Sequence, residues 1–177
     1  MLVALRAPIR YEAGSGSSTG DIPFVESRFT PRTVFMEIGA ADCRLALRAA
    51  SYVERVYAID VSGHFLHNVL VPCNLRLVLC DGVHIPVSEA AVDLAWGGGF
   101  MDPLHPDDAH AHLQSVRRSL VPGGEYLCRT RRPARELARR LLAAGFSKVR
   151  IYAGAARIPA ASASIFPANL LRFAAVK

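Results

Sequence analysis

The sequence predicts an α/β fold with a doubly wound, mostly parallel sheet of seven strands. Two observations favour this fold. From residue 33 onward, short apolar runs alternate with longer segments that carry apolar residues at helical spacing. The connections between these segments are rich in glycine and proline, which mark turns. Strands that alternate with helices in this way form parallel sheets whose two faces are both covered.

Each predicted strand is a short apolar run bounded by turn or charged residues. The first run lies between Pro31 and Gly39, and the fourth ends at three consecutive glycines, 97–99. Such bounded runs, rich in β-branched and aromatic residues, are typical of buried strands. The seven predicted strands are Thr33–Ile38, Arg55–Asp60, Leu75–Cys80, Val92–Trp96, Glu125–Thr130, Lys148–Tyr152 and Leu170–Val176.

Helices are predicted between the strands, and their ends carry recognisable signals. One follows Pro106, and another has Pro133 at its start and Gly145 just past its end, as the asymmetry of helix ends favours. The glycines at 123 and 124 stop the first of these two helices. The predicted helices are Asp42–Tyr52, Ser62–Leu70, Asp107–Leu120 and Pro133–Ala144.

Length and composition predict one compact domain. The chain has 177 residues, of which 51% are hydrophobic and 20% charged, and this excludes a disordered chain. A Gly/Ser-rich run at 13–20 predicts a flexible loop within an N-terminal segment, 1–30, that precedes the domain at 31–177. The four cysteines form no CxxC pair, and no signal peptide or membrane-spanning run is evident, so a cytoplasmic protein with reduced thiols is expected.

Positive charge is concentrated in the last third of the chain. The net charge of the chain is +6, yet residues 121–177 carry eleven basic and two acidic side chains, a net of +9. Arg132, Arg135 and Arg139 follow helical spacing there. Such a face could contact nucleic acid, but no aromatic residues are interleaved with it, and a solvated helix face is the other interpretation.

A ligand site is predicted where the strands end, because open parallel sheets bind ligands at the carboxyl edge. Gly39 ends the first strand, where a ligand can approach the backbone closely. A dinucleotide fingerprint needs glycine at 41 and 44 as well, and Ala41 and Arg44 stand there, so a pyrophosphate cofactor is disfavoured. Asp60 ends the second strand 21 residues after Gly39. A carboxylate at that distance suits a ribose diol, and the alternative is a helix N-cap.

Five segments in this order resemble a class I S-adenosylmethionine-dependent methyltransferase. They are EIGAADCRLALRAA, VYAIDVS, NLRLVLCDGVHIPV, AVDLAWGGGFMDPL and SLVPGGEYL. The resemblance covers about 33–153, and 170–176 fits the last, antiparallel strand of that Rossmann-like fold. It implies S-adenosylmethionine as the cofactor. It also implies that a pocket for this cofactor is formed by Glu37, Gly39, Ala40, Asp60, Val61, Asp81, Gly82 and Gly97.

Within this resemblance, each residue has an expected role. Asp60 would bind the ribose, Val61 would pack on the adenine, and Asp81 would accept from the adenine amino group. Glu37 would lie beside the methionine part of the cofactor. The family's first motif commonly has two further glycines where this chain has Ala41 and Cys43, and Cys43 is expected to narrow the pocket.

The methyl acceptor is expected to be a small molecule, with His105 as the candidate general base. His105 lies in the loop PLHPDD, and a histidine there could take a proton from a hydroxyl or amine. His110 and His112 are two apart and are interpreted as solvated helix residues. His64 and His67 could share a face, but no third ligand is evident, so no metal site is predicted. The alternatives are a non-catalytic partner subunit and, because of the basic last third, an RNA methyltransferase.

Overall fold

The computed structural model describes residues 20–63 and 70–177. That part of the chain forms α-helices, β-strands and two short 3-10 helices, at Ala160–Ile165 and Ala168–Leu170. The strands are β1 (Val34–Ile38), β2 (Arg55–Asp60), β3 (Leu75–Leu79), β4 (Val92–Trp96), β5 (Leu120–Arg129), β6 (Lys148–Ala153), β7 (Ala156–Ile158) and β8 (Leu171–Val176). The helices are α1 (Asp21–Glu26), α2 (Arg44–Ala49), α3 (Pro106–Ser119) and α4 (Ala134–Ala143).

The strands form one mixed sheet in the order β3-β2-β1-β4-β5-β8-β6-β7. Strands β1 to β5 pair in parallel, and β8 inserts antiparallel between β5 and β6. The predicted α/β class and the last antiparallel strand are therefore confirmed. Strand order reverses between β1 and β4, which places the loops after β1, β2 and β4 at the edge where such sheets bind ligands.

Three elements differ from the sequence predictions. The sheet has an eighth strand, β7, which forms a hairpin with β6 across a turn at Gly154. Strand β5 starts at Leu120 rather than at Glu125. Its pairing with β4 changes register between Val92 and Leu94, and the extra residues of β5 at this point include the glycines at 123 and 124. Helix α1 lies in the segment expected to precede the domain. It is anchored by Phe24 and Val25, which are buried with the core of the domain.

Each face of the sheet buries its own apolar core. Strand residues alternate between the two faces, as the period of a strand requires. In β8, Phe173 and Ala175 pack with residues of α3 and α4, whereas Ala174 packs with residues of α1 and α2. Helices therefore cover both faces of the sheet.

Several sequence predictions fall outside the described residues. The helix predicted at 62–70 lies mostly on 64–69, and the Gly/Ser-rich run lies on 13–19 apart from Gly20. The boundary between an N-terminal segment and the domain at residue 30 stays a prediction. In the ranges 20–63 and 70–177, no helix is long and apolar enough to cross a membrane.

Candidate functional site

The turn after β1 has a left-handed backbone at three positions. The φ angles are +75° at Gly39, +46° at Ala41 and +58° at Cys43. The backbone N–H groups of Gly39 and Ala40 both donate to the carbonyl of Ile59, at 2.8 and 3.0 Å. These bonds tie the turn to the end of β2, so the two loops after β1 and β2 form one unit.

Cys43 and Arg44 follow this turn, and the first is buried whereas the second is exposed. Cys43 is fully buried in the apolar core beside α2. Burial, followed by the charges of Glu37 and Asp60, raises the pKa of the Cys43 thiol to about 12. The Arg44 side chain is 85% exposed and bonds to Asp42. The expectation that Cys43 narrows the pocket stays a prediction, because its side chain packs in the core but the carboxylates of Glu37 and Asp60 still act on it.

Asp60 joins the loops after β1 and β2 through its carboxylate. The residue is 7% exposed, and its two oxygens accept from the backbone N–H groups of Ala41 and Ser62, each at 2.9 Å. An ionised carboxylate has about four acceptor sites, so these two bonds leave acceptor capacity for a ligand. Val61 beside it is partly buried against the core. A carboxylate with spare acceptors next to a glycine turn fits the diol of an adenosyl group.

Glu37 is buried under α2. Its Oε2 atom accepts from the backbone N–H of Ala46 at 2.8 Å, which satisfies one of the amides in the first turn of that helix. The residue is 3% exposed. The visible contact of Glu37 is therefore structural, since it fixes α2 on the turn after β1, and its expected place beside the methionine part of the cofactor stays a prediction.

Asp81 and Gly82 form a tight turn after β3. One oxygen of Asp81 accepts from the backbone N–H groups of Val83 and His84, and the other contacts Nδ1 of His84 at 2.7 Å. Partial burial acts to raise the pKa of Asp81, but the bonds from His84 and Val83 prevail and lower it to about 2. Gly82 has φ +90°, which glycine adopts without strain. The carboxylate is thus ionised and fixed in orientation.

The loop after β4 folds back onto the turn after β1. A β-carbon on Gly39 would lie 2.9 Å from Cδ2 of Phe100, and one on Gly97 would lie 2.2 Å from the hydroxyl of Tyr126. Both glycines therefore allow contacts that any other residue would block. The Phe100 N–H donates to the carbonyl of Gly97 at 2.8 Å. Phe100 was missed by the sequence analysis, and the structure places it directly on Gly39.

His112 is buried beneath this loop, so the interpretation of it as a solvated helix residue is wrong. Its ring stacks on Phe100 with a centroid distance of 5.1 Å, and within the described residues neither ring nitrogen makes a hydrogen bond of good geometry, although the backbone of Gly82 and Val83 lies near it. Burial lowers the pKa of His112 to about 4, although the backbone of Gly82 and Val83 and the charge of Asp81 act in the opposite direction. His110, by contrast, is exposed as expected.

His105 occupies the N-cap of α3. Its Nδ1 atom accepts from the backbone N–H of Asp107 at 3.5 Å, and its side chain is 63% exposed. In the described part of the chain His105 contacts neither Gly39, Asp60 nor Gly97, so its role as a base stays a prediction. His64 and His67 lie outside the described residues. Within the described ranges, no three His, Cys, Asp or Glu side chains gather closely enough to hold a metal ion.

A buried ion cluster lies at the same edge of the sheet and was not predicted. Asp21 in the first turn of α1 is fully buried, and its carboxylate pairs with Arg172 at 2.9 Å and with Arg129 at 3.2 Å. The partners are 108 and 151 positions apart from Asp21 in the chain, so no local pattern could reveal them. The cluster fixes α1 at the ends of β5 and β8.

The comparisons with known proteins agree with this geometry. A family model described as a methyltransferase domain matches residues 35–124, just over half of the chain. A search of curated proteins finds no match.

Solved structures share the fold. An S-adenosylmethionine-dependent methyltransferase from Mesorhizobium loti matches with a TM-score of 0.70 and 13% identity, over 90% of this chain and 99% of that one. The methyltransferase in a complex with the Haloferax volcanii Trm112 activator matches with a TM-score of 0.67 and 15% identity, over 89% and 88%. Phosphoethanolamine N-methyltransferase 1 of Haemonchus contortus matches with a TM-score of 0.57 and 22% identity, over 64% of this chain. This chain spans only 26% of that protein.

The family model matches residues 35–124. The order of the strands and the glycine turn beside Asp60, at the end of β2, are both consistent with that match. The chain therefore belongs to the methyltransferase domain family, as a class I methyltransferase with S-adenosylmethionine as its cofactor.

Proposed function

We propose that this chain transfers a methyl group from S-adenosylmethionine to a small-molecule acceptor. The observation that carries the proposal is the Asp60 carboxylate, which is held by the N–H groups of Ala41 and Ser62 beside the left-handed turn at Gly39. This arrangement fixes an acceptor for two hydroxyl groups at the switch point of the sheet. A ribose diol is the ligand group that such a carboxylate suits.

The roles of the other cofactor-binding residues in this proposal follow from the resemblance to class I methyltransferases. Asp81 accepts from the adenine amino group with the acceptor capacity left by its backbone bonds, and Gly82 allows a close approach there. Val61 packs on the adenine face. Ala40 and Gly97 present backbone to the methionine part, and Glu37 contributes by holding α2 and the turn in place. Each of these assignments is part of the proposal.

The cofactor, when bound, supplies an electrophilic methyl carbon on a sulfonium. Asp60, Asp81 and the turn at Gly39 would hold the cofactor, so that the methyl group could pass to the acceptor nucleophile with the carbon–sulfur electron pair left on the sulfur. The chain's own residues hold the two reactants in line and exclude water, which is where much of the rate enhancement of such a displacement arises. A proton leaves the acceptor for a base, and His105 is the candidate.

A single variant separates the two possible roles of His105. Because asparagine is a good N-cap, His105→Asn keeps the start of α3 but removes the base. If His105 is the base, the variant loses turnover at unchanged stability and cofactor affinity. If turnover persists, His105 is only a cap and the proton leaves to water.

Ion pairs that occupy part of the basic surface favour a small acceptor over RNA. Arg132 and Arg140 both pair with Glu136, which neutralises part of the basic face of α4. The acceptor would lie between the N-terminal segment, the loop 97–106 and the loop 154–169. The Haemonchus contortus neighbour was solved with phosphoethanolamine and S-adenosylhomocysteine, and this supports a small-molecule acceptor for the present fold.

The test is calorimetry with S-adenosylhomocysteine, followed by methyl transfer from labelled S-adenosylmethionine to a panel of small acceptors. The wild-type chain should bind the product, and Asp60→Ala should bind it at least tenfold more weakly, since a hydrogen bond to a charged group contributes about 1.5–3 kcal/mol. Absence of binding by the wild type would refute the proposal. Binding without any turnover would favour the alternative, a non-catalytic partner subunit.

A further inference from the structure

Arg129 lies where β5 meets the loop after β4. It is the last residue of β5, and its backbone N–H donates to the carbonyl of Gly98 at 2.9 Å. Its Nη1 atom lies 4.0 Å from the position that a β-carbon on Gly99 would take. The guanidinium is therefore directed at the glycine loop 97–99, which the proposed function places beside the reacting group of the cofactor.

The positive charge of Arg129 is only partly compensated. Its ion-pair partner in the described part of the chain is Asp21, whose carboxylate also pairs with Arg172. Asp21 is therefore shared between two guanidinium groups. A further carboxylate lies nearby, since Oδ2 of Asp102 is 3.6 Å from the same Gly99 position, but it accepts from the backbone N–H of Arg131 and forms no ion pair with Arg129 in the described part of the chain. Within the described residues, the buried Nε atom of Arg129 lies 3.2 Å from Asp21 but makes no aligned hydrogen bond. Because Nε is enclosed, the 19% exposure of the side chain belongs to its other atoms, and a ligand would bind the guanidinium through its Nη atoms.

The surroundings hold the guanidinium in position. Arg129 is 19% exposed at its side chain, and α1 carries Asp21 over it. On the other side, Asp102 accepts from Thr130 and from the backbone N–H of Arg131 at 2.5 and 2.9 Å, which fixes the loop after β4 against the end of β5. A guanidinium on rigid strands is preorganised to bind a carboxylate or phosphate through two parallel hydrogen bonds.

We propose that Arg129 is a specificity-determining residue that binds an anionic group, a carboxylate or a phosphate, on the methyl acceptor. This inference rests on the proposed function, because it names the class of acceptor for the same site. The shared-carboxylate arrangement with Asp21 leaves Arg129 charged and available, and its place beside Gly99 puts the anion near the methyl group to be transferred. Neutral acceptors of the same shape would be poor substrates.

The first experiment measures anion binding without knowledge of the acceptor. The chain, labelled with ¹⁵N in arginine, is titrated with inorganic phosphate and separately with acetate, alone and with S-adenosylhomocysteine bound, while the Nε signals of the side chains are recorded. We expect the Arg129 signal to shift saturably with at least one anion, and the two titrations distinguish phosphate from carboxylate recognition. Saturable binding of neither anion would overturn the proposal.

Two variants and a matched control sharpen the test. Arg129→Gln should weaken anion binding at least tenfold, Arg129→Lys should restore only part of it, and Arg139→Gln, which removes an exposed arginine of α4, should change it less than twofold. Thermal unfolding and S-adenosylhomocysteine affinity show that each variant is folded. Equal anion affinity in Arg129→Gln and Arg139→Gln would contradict the assignment.

Turnover supplies the second readout. Matched acceptors that differ only by the anionic group, such as aminoethyl phosphate against ethanolamine and 4-hydroxybenzoate against phenol, are compared in methyl transfer. Arg129→Gln should lower kcat/KM for the anionic member of a pair about tenfold or more and leave the neutral member unchanged. Preference for the neutral members would overturn this inference while the proposed function stands. Failure of the wild type to bind S-adenosylhomocysteine would contradict the proposed function instead.

Discussion

Asparagine at position 60 tests the centre of the candidate site with the smallest change in shape. The Asp60 carboxylate accepts one backbone N–H on each oxygen, from Ala41 and Ser62, each at 2.9 Å. An asparagine side chain is isosteric but keeps only one acceptor oxygen, and its amide NH₂ group would face the other N–H group. The variant therefore loses the negative charge and leaves one part-buried N–H without its acceptor.

The contacts of Asp60 set the size of the expected losses in stability and in cofactor affinity. A fully buried donor left unsatisfied costs about 1–3 kcal/mol, and these N–H groups are part-buried, so the free energy of unfolding should fall by about 1 kcal/mol, the lower end of that range. A hydrogen bond from a ribose hydroxyl to a charged acceptor contributes about 1.5–3 kcal/mol, and at 1.4 kcal/mol per tenfold this predicts about 10- to 150-fold weaker binding of S-adenosylhomocysteine. The loss in affinity should exceed what partial unfolding alone could cause.

Calorimetry well below the unfolding midpoint measures the affinity, and urea unfolding measures the stability. Asp42→Asn is the matched control, because that carboxylate is 54% exposed, lies on the same turn and bonds only to Arg44 in the described contacts. It should change the affinity less than twofold. If Asp60→Asn binds S-adenosylhomocysteine within threefold of the wild type, the assignment of the ribose to Asp60 is wrong.

Three further predictions concern the same edge of the sheet. Ala41→Gly should raise the free energy of unfolding by roughly 0.5–1 kcal/mol, since a left-handed backbone strains alanine, and a urea midpoint that falls would refute this. The pKa of His112 is lowered from 6.5 to about 4 in the folded chain. Its neutral form therefore contributes fully to the free energy of unfolding above pH 6.5, and about 3 kcal/mol of that free energy is lost as the pH falls from 6.5 to 4. His112→Leu should abolish this component of the pH dependence in thermal unfolding, whereas His110→Asn should retain it. Thiol labelling of the native chain should modify the exposed Cys73 at once and the partly buried Cys80 more slowly. If adenine binds at the end of β3, S-adenosylhomocysteine should slow the labelling of Cys80 but not that of Cys73.

The sequence alone predicts the elements whose signals are local. Strands β2 and β4 have the predicted bounds, because each is a short apolar run between turn residues. Helix α1 could not be predicted, since it has six residues and no side-chain cap at Gly20. It forms because Phe24 and Val25 are buried on the sheet and Asp21 pairs with distant arginines. Strand β7 has three residues and exists only as the partner of β6.

The residues of the candidate site likewise divide into those that local spacing predicts and those that depend on contacts between distant parts of the chain. Asp60 could be predicted, because its distance from Gly39 reflects one strand–turn–helix–strand unit. The contact of Phe100 with Gly39 depends on how the loop after β4 folds back, which no spacing encodes. The burial of His112 had a signal that was overlooked. Ala109, Leu113 and Val116 lie on the buried face of α3, and His112 falls on that same stripe.

The turn after β1 shows that a motif glycine can be replaced when its backbone shape is held by other means. A left-handed conformation costs alanine or cysteine roughly 1–2 kcal/mol. Here Ala41 donates to Asp60 at 2.9 Å and Cys43 donates to the carbonyl of Ala40 at 2.6 Å, and such bonds offset the strain. The direction of each side chain then decides whether a ligand fits. Ala41 is exposed, and Cys43 packs in the core beside α2. This chain therefore keeps the left-handed backbone of the turn without glycine at positions 41 and 43.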